Sequence, residues 1–94
     1  MTVYAMVHID VTDAEEYAKY AAIAGPAVEK YGAEFLARGG KSLQMEGTGR
    51  ARNVIIKFKD WESAEAFYAS PEYQEALSYG LPASDREYTF VEGV

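Results

Sequence analysis

Few side chains in this sequence are equipped for chemistry at neutral pH. His8 is the only histidine, and imidazole alone has an unperturbed pKa near neutrality, so His8 is the one candidate general acid or base. Arg38, followed by Gly39 and Gly40, is the second candidate. Glycines let a backbone bend or approach a ligand closely, and a guanidinium beside them can clamp a carboxylate or an enolate. The third is a set of tyrosines, since the chain carries 8 of them in 94 residues, an unusual supply for its length. Tyr17 and Tyr20 share one helix face, and Tyr68 and Tyr73 flank a break at Ser70-Pro71. Their rings can wall a cleft between sheet and helices while their hydroxyls orient a polar ligand. Each candidate has a plainer reading: a half-buried strand histidine, an arginine ion-paired at a strand bulge, and tyrosines that fill core and interface. Trp61 and Asn53 complete the inventory, although their spacing demands no shared role.

Other chemistries lack their parts. With no cysteine there is no thiolate nucleophile, disulfide or Cys-based metal site, and a single histidine makes a metal centre unexpected. The serines have no Gly-x-Ser-x-Gly context. Gly47-Thr48-Gly49 has no Lys-Ser/Thr pair after it and joins two strands, which excludes a phosphate loop. No cofactor is expected. The net charge of −6 opposes binding to nucleic acid. No apolar run approaches the ~20 residues that span a bilayer, and Met1 to Asp10 lacks the basic and apolar regions of a signal peptide. A cytoplasmic protein that leaves membranes alone is the expectation.

The elements that must position these residues follow from periodicity. Val3 to Ile9 reads as a strand, with Val3, Ala5, Val7 and Ile9 on one side and Tyr4, Met6 and His8 on the other. Thr12 with Glu15 suggests a capping box that opens a helix, whose buried stripe is Tyr17, Tyr20, Ala21, Ala24, Val28 and Tyr31. Pro26 should bend or divide that helix, and Gly32 should end it. Ala33 to Leu36 and Ser42 to Met45 read as a strand broken or bulged at Gly39-Gly40, and Asn53 to Phe58 as the next. Asp60 caps a helix with Trp61, Ala64, Phe67 and Tyr68 on its apolar face. Ser70-Pro71-Glu72 starts another, with Ser as N-cap and Pro at N1, and Glu87 to Val91 is the last strand.

This β-α-β-β-α-β order predicts one ferredoxin-like α+β domain over residues 1–94, an antiparallel sheet with helices on one face. The other face keeps Tyr4 and Met6 or their counterparts, and Ile55, uncovered. An apolar patch of this kind is best shielded by the same surface of a second copy. A homodimer through the open sheet face is therefore expected.

Several runs resemble a small bacterial family of unknown function, the DUF1330 proteins, within the dimeric α+β barrel superfamily. They are Tyr17-Ala18-Lys19-Tyr20, Gly25-Pro26, Lys30-Tyr31-Gly32, Phe35-Leu36-Ala37-Arg38-Gly39-Gly40, Val54-Ile55-Ile56-Lys57-Phe58, Ser70-Pro71-Glu72-Tyr73-Gln74 and Val91-Glu92-Gly93. After Leu77 the family often continues with an arginine-containing stretch, where this chain has Ser78-Tyr79-Gly80-Leu81-Pro82. The resemblance implies the fold and the dimer and brings no activity. The wider superfamily holds cofactor-independent monooxygenases, muconolactone-isomerase-like proteins and ligand sensors.

Two readings of function stay open. In the first, a pocket between sheet and helices, or at the dimer seam, binds a small organic acid or an aromatic metabolite. Any turnover there would be cofactor-independent proton transfer or oxygenation, with His8 as acid/base, Arg38 as anion clamp and Tyr17, Tyr20, Tyr68 and Tyr73 as the wall. In the second, the protein is a non-catalytic dimeric module for ligand sensing or interaction.

Overall fold

A computed structural model describes all 94 residues, Met1–Val94. The elements run β1 (Val3–Val11), α1 (Ala14–Lys30), β2 (Glu34–Arg38), β3 (Arg52–Phe58), α2 (Trp61–Ala69), α3 (Pro71–Gly80) and β4 (Ser84–Glu92). The strands form one sheet in the order β2-β3-β1-β4, and every neighbouring pair is antiparallel. The chain is ferredoxin-like, as its element order predicts. No helix is long and apolar enough to cross a membrane.

Side-chain parity sets the two faces. Val3, Ala5, Val7 and Ile9 of β1 are buried, and they meet Val54, Ile56 and Phe58 of β3 with Tyr17, Tyr20, Val28, Phe67 and Tyr73 of the helices. Small and β-branched side chains make the smoother row, so the helices settle there. Tyr4, Met6 and His8 face away, opposite Lys57, Ile55 and Asn53 on β3 and Val91, Thr89 and Glu87 on β4. On that open face Met6 and Val91 are 39% and 42% exposed.

Helix boundaries follow local capping chemistry, with one displacement. The N-cap of α1 is Asp13, which accepts from the Glu16 amide at 3.2 Å, in place of the Thr12–Glu15 box. Thr12 is held elsewhere: β1 extends to Val11, and the amides of Thr12 and Asp13 both donate to the Ala83 carbonyl, at 2.8 and 3.1 Å. Nor does Pro26 divide α1, which runs unbroken past it. Proline removes one helix hydrogen bond, but Ala24, Gly25, Ala27 and Val28 on either side are buried, and packing outweighs the local defect. Gly32, at φ +73°, ends the helix as expected. Its amide bonds the Glu29 carbonyl and that of Ala33 bonds Val28, both at 3.0 Å, a Schellman closure. Asp60 accepts from the Ser63 amide at 2.8 Å. Ser70 caps α3 through the Tyr73 amide at 3.2 Å while donating to the Phe67 carbonyl at 2.7 Å, so one buried hydroxyl joins α2 to α3.

The region after α1 departs from expectation. Only Glu34–Arg38 forms β2, and Ser42 to Met45 lies outside any strand. The bulge falls between Phe35 and Ala37, not at the two glycines. Its consequence is a matter of parity. Residues three apart on a regular strand point to opposite faces, but the extra residue lets Phe35 pair with Ile56 and Arg38 with Val54, two positions that both face the helices. Arg38 is thereby turned inward. At the far edge β4 begins at Ser84, three residues earlier than expected, which brings Arg86 into the sheet.

Candidate functional site

A cavity of about 40 Å³ lies between the sheet and the helices. Val7, Ile9, Val54 and Ile56 form its floor, α1 covers it with Ala21, Ala24 and Gly25, and its polar lining is Tyr17, Tyr20, Tyr73, Tyr88, Arg38 and Arg52. No aspartate or glutamate lines it.

Arginines from two strands, Arg38 and Arg52, line this cavity, and a third strand's Arg86 bonds two of its phenols. Arg86 of β4 donates through Nη2 to the hydroxyls of Tyr20 and Tyr73, at 3.1 and 2.9 Å, and those two phenols share a further hydrogen bond of 2.9 Å. Its guanidinium lies 4.8 Å from the Tyr20 ring centre and 5.5 Å from that of Tyr88, within cation–π range. Arg52 of β3 sits 5.9 Å from the Tyr17 ring centre and rests against the backbone of Gly39, where a side chain would collide with it. Arg38 of β2 stacks on Phe35 at 4.2 Å, and its Nη2 lies 2.7 Å from where a Cβ on Gly25 would stand. The glycine of the Gly25-Pro26 pair thus leaves room for a guanidinium against α1.

The electrostatics of the cluster are one-sided. The four arginines of the chain are Arg38, Arg50, Arg52 and Arg86, and Arg50 alone pairs with carboxylates, those of Asp10 and Glu87. Arg52 Nε, Arg86 Nη1 and the Tyr88 hydroxyl are buried with no hydrogen-bond partner in the protein. Burial opposes charge on Arg86, but the Tyr20 and Tyr73 oxygens outweigh it and hold the guanidinium charged. Burial pushes the phenols of Tyr17, Tyr73 and Tyr88 above the ordinary tyrosine value, so all three stay protonated at neutral pH. The site presents fixed positive charge and O–H and N–H donors. No histidine, aspartate or glutamate lines it.

Of the residues expected from sequence, Tyr17, Tyr20, Tyr73 and Arg38 meet at this cavity. Tyr68 does not reach it. Its ring packs behind the wall, 5.3 Å from Tyr73 and 5.4 Å from Tyr88 between ring centres. His8 is on the other side of the sheet, in a polar cleft with Asp10, Gln44, Arg50 and Glu87, and its Nδ1 donates to Asn53 Oδ1 at 2.7 Å. Asn53 in turn donates to Ser42 Oγ and the Arg50 carbonyl, each at 3.3 Å. His8 and Arg38 therefore do not converge within one chain, because β1 alternation sends His8 outward while the β2 bulge sends Arg38 inward. Trp61 is structural: its Nε1 donates to Glu92 at 2.8 Å and ties the start of α2 to the end of β4. No group of three or more His, Asp or Glu side chains is arranged to hold a metal.

Arg52, Arg86 and Tyr88 escape the sequence reading. Arg86 and Tyr88 lie at one parity with Phe90, and an arginine in an inward-facing row is a signal of a buried cationic site. It is hidden by starting the last strand at Glu87, one residue past the arginine.

Comparison with known proteins agrees with this architecture. A protein of unknown function from Rhodopseudomonas palustris superimposes with a TM-score of 0.80 at 18% identity, over 99% of this chain and 82% of that one. A dimeric ferredoxin-like protein of unknown function from Jannaschia sp. CCS1 gives 0.80 at 14% identity, covering 99% of this chain and 100% of the other. SnoaB, a cofactor-independent oxygenase from Streptomyces nogalater, gives 0.68 at 10% identity, with coverage of 99% and 93%. At such identities the likeness is one of fold. No curated protein matches the chain. The family described as domain of unknown function DUF1330 matches residues 2–94, and the chain belongs to that family.

Proposed function

We propose that the protein binds a small organic acid in the cavity between its sheet and helices, one per chain, as a homodimer joined through the open sheet face. One observation carries the ligand reading. In a chain of net charge −6 with 15 acidic residues, Arg38 and Arg52 line an aromatic cavity, Arg86 bonds two phenols of its wall, and none of the three forms a salt bridge. Burying Arg52 Nε and Arg86 Nη1 without a partner costs free energy, and an anionic ligand beside them reduces that cost. The dimer is supported by the exposed Met6, Leu36 and Val91 and by relatives from Jannaschia and Thermobifida fusca described as dimeric ferredoxin-like proteins.

Binding without turnover is the reading the geometry favours. Proton transfer needs a base within hydrogen-bond reach of the ligand, whereas His8 is across the sheet and burial holds the phenols of Tyr17, Tyr73 and Tyr88 protonated. That supports a ligand-sensing or carrier role over cofactor-independent oxygenation, for which the fold likeness to SnoaB is the motive. Thermal-shift screening of small carboxylates tests the proposal, because a ligand specific to the native state raises the melting temperature, by about 2.7 kcal/mol of stability at 100 times Kd. Stabilisation should be lost in Arg52→Gln and weakened in Arg38→Ala. A full panel of organic acids with no effect on the wild-type protein refutes it.

A further inference from the structure

Resting on that reading, we infer that the ligand is a short aliphatic carboxylate of two to four carbons, held through hydrogen-bond donors alone. The first argument is volume. The cavity measures about 40 Å³, and one water needs roughly 10–15 Å³ by this measure, while a cavity that admits benzene is on the order of 150 Å³. There is space for about three water-sized groups, which suits a carboxylate with a short tail and excludes an aromatic ring.

The second argument is a count of hydrogens. Of the residues that line the cavity, Arg52 and Tyr88 carry donors with no acceptor in the protein, Nε and the hydroxyl, and Arg86 Nη1, on the guanidinium bonded to the Tyr20 and Tyr73 phenols, is a third. Tyr20 and Tyr73 own two phenolic hydrogens and use one in the bond between them, so a further O–H is free beside Arg86. With no carboxylate in the lining, the unused capacity consists overwhelmingly of donors. A carboxylate offers about four lone-pair sites and no hydrogen, the complement of this set. An amide of the same shape brings two N–H groups and loses the charge, so it leaves donors facing donors. The apolar floor of Val7, Ile9, Val54 and Ile56 receives the tail.

Isothermal titration of the whole protein with sodium propionate, propionamide, sodium benzoate and sodium phosphate at equal ionic strength tests this. Propionate should bind, and propionamide and benzoate should each be at least about tenfold weaker, a difference typical of an unpaired buried group or of overpacking. Tyr88→Phe, which keeps the ring and removes one donor, should weaken propionate by about tenfold. Equal binding of propionamide overturns the donor argument, and tighter binding of benzoate overturns the size argument. Phosphate as tight as propionate shows a general anion hole and also overturns the inference. In these three outcomes an anion or acid still binds and the broader proposal survives, whereas silence from every acid defeats both.

Discussion

Tyr88→Phe separates stability from ligand affinity at a single atom. The Tyr88 hydroxyl is buried and has no hydrogen-bond partner in the protein, while its ring packs against Tyr68, Tyr73 and Phe90 at centre distances of 5.4, 6.0 and 5.5 Å. Phenylalanine keeps that packing and drops the stranded oxygen. An unsatisfied buried hydroxyl costs about 1–3 kcal/mol. Taking the lower figure, because Tyr88 is only partly buried, its removal should stabilise the ligand-free protein by roughly 1 kcal/mol, which is about 4–8 °C in melting temperature for a domain of this size. The change is read by thermal and urea unfolding at pH 7, with the urea slope unchanged as the sign that only stability moved. Propionate affinity should fall in the same variant. A residue that costs stability and earns affinity is what a binding site requires. Destabilisation of more than about 1 kcal/mol by Tyr88→Phe, at the scale of a lost hydrogen bond, would falsify the assignment of that hydroxyl as unsatisfied.

Three further outcomes follow from the same geometry. Burial raises Tyr17, Tyr73 and Tyr88 above the unfolded tyrosine value, so the stability they confer is complete below about pH 10 and falls as pH climbs toward their folded values, by up to roughly 1.4 kcal/mol per pH unit for each phenol; alkaline unfolding followed by circular dichroism should show it, with a shallower slope in Tyr88→Phe. A Cβ on Gly80 would stand 2.5 Å from the Tyr20 ring, so Gly80→Ala should lose roughly 1–2 kcal/mol in urea unfolding, overpacking outweighing the helix gain, and a neutral or stabilised variant would show that the α1–α3 contact yields easily. Met6→Asp puts a charge in the middle of the open face, and light scattering at micromolar concentration should find a dimer for the wild type and a folded monomer for the variant; a variant dimer places the interface elsewhere, and a wild-type monomer refutes the proposed dimer.

Much of the fold is written locally. Asp60 before Trp61, Ser70-Pro71 before Glu72 and Gly32 after Tyr31 state helix ends in short-range chemistry that needs no partner, and the structure keeps all three. Alternation along β1 likewise groups His8 with Tyr4 and Met6, away from the Val/Ala/Ile row. Where two local signals compete, packing chooses. Asp13 replaces Thr12 as the cap because β1 stays paired with β4 as far as Val11, which moves the helix start one residue on, and α1 runs through Pro26 because buried neighbours hold it.

The site is a different matter, since its parts come from α1, β2, β3, α3 and β4 and no short stretch contains two of the arginines on one face. The inward aim of Arg38 depends on a one-residue bulge between Phe35 and Ala37, and a strand's parity is a count that a single irregularity inverts. Arg86 reaches Tyr20 and Tyr73 because β4 pairs with β1 from Val11 onward, a long-range register that no local pattern announces. Residue types and helix ends are properties of neighbours in the chain. The meeting of Arg38, Arg52 and four phenols over an apolar floor, with Arg86 bonded to two of those phenols, is a property of strand register, which only the assembled sheet sets.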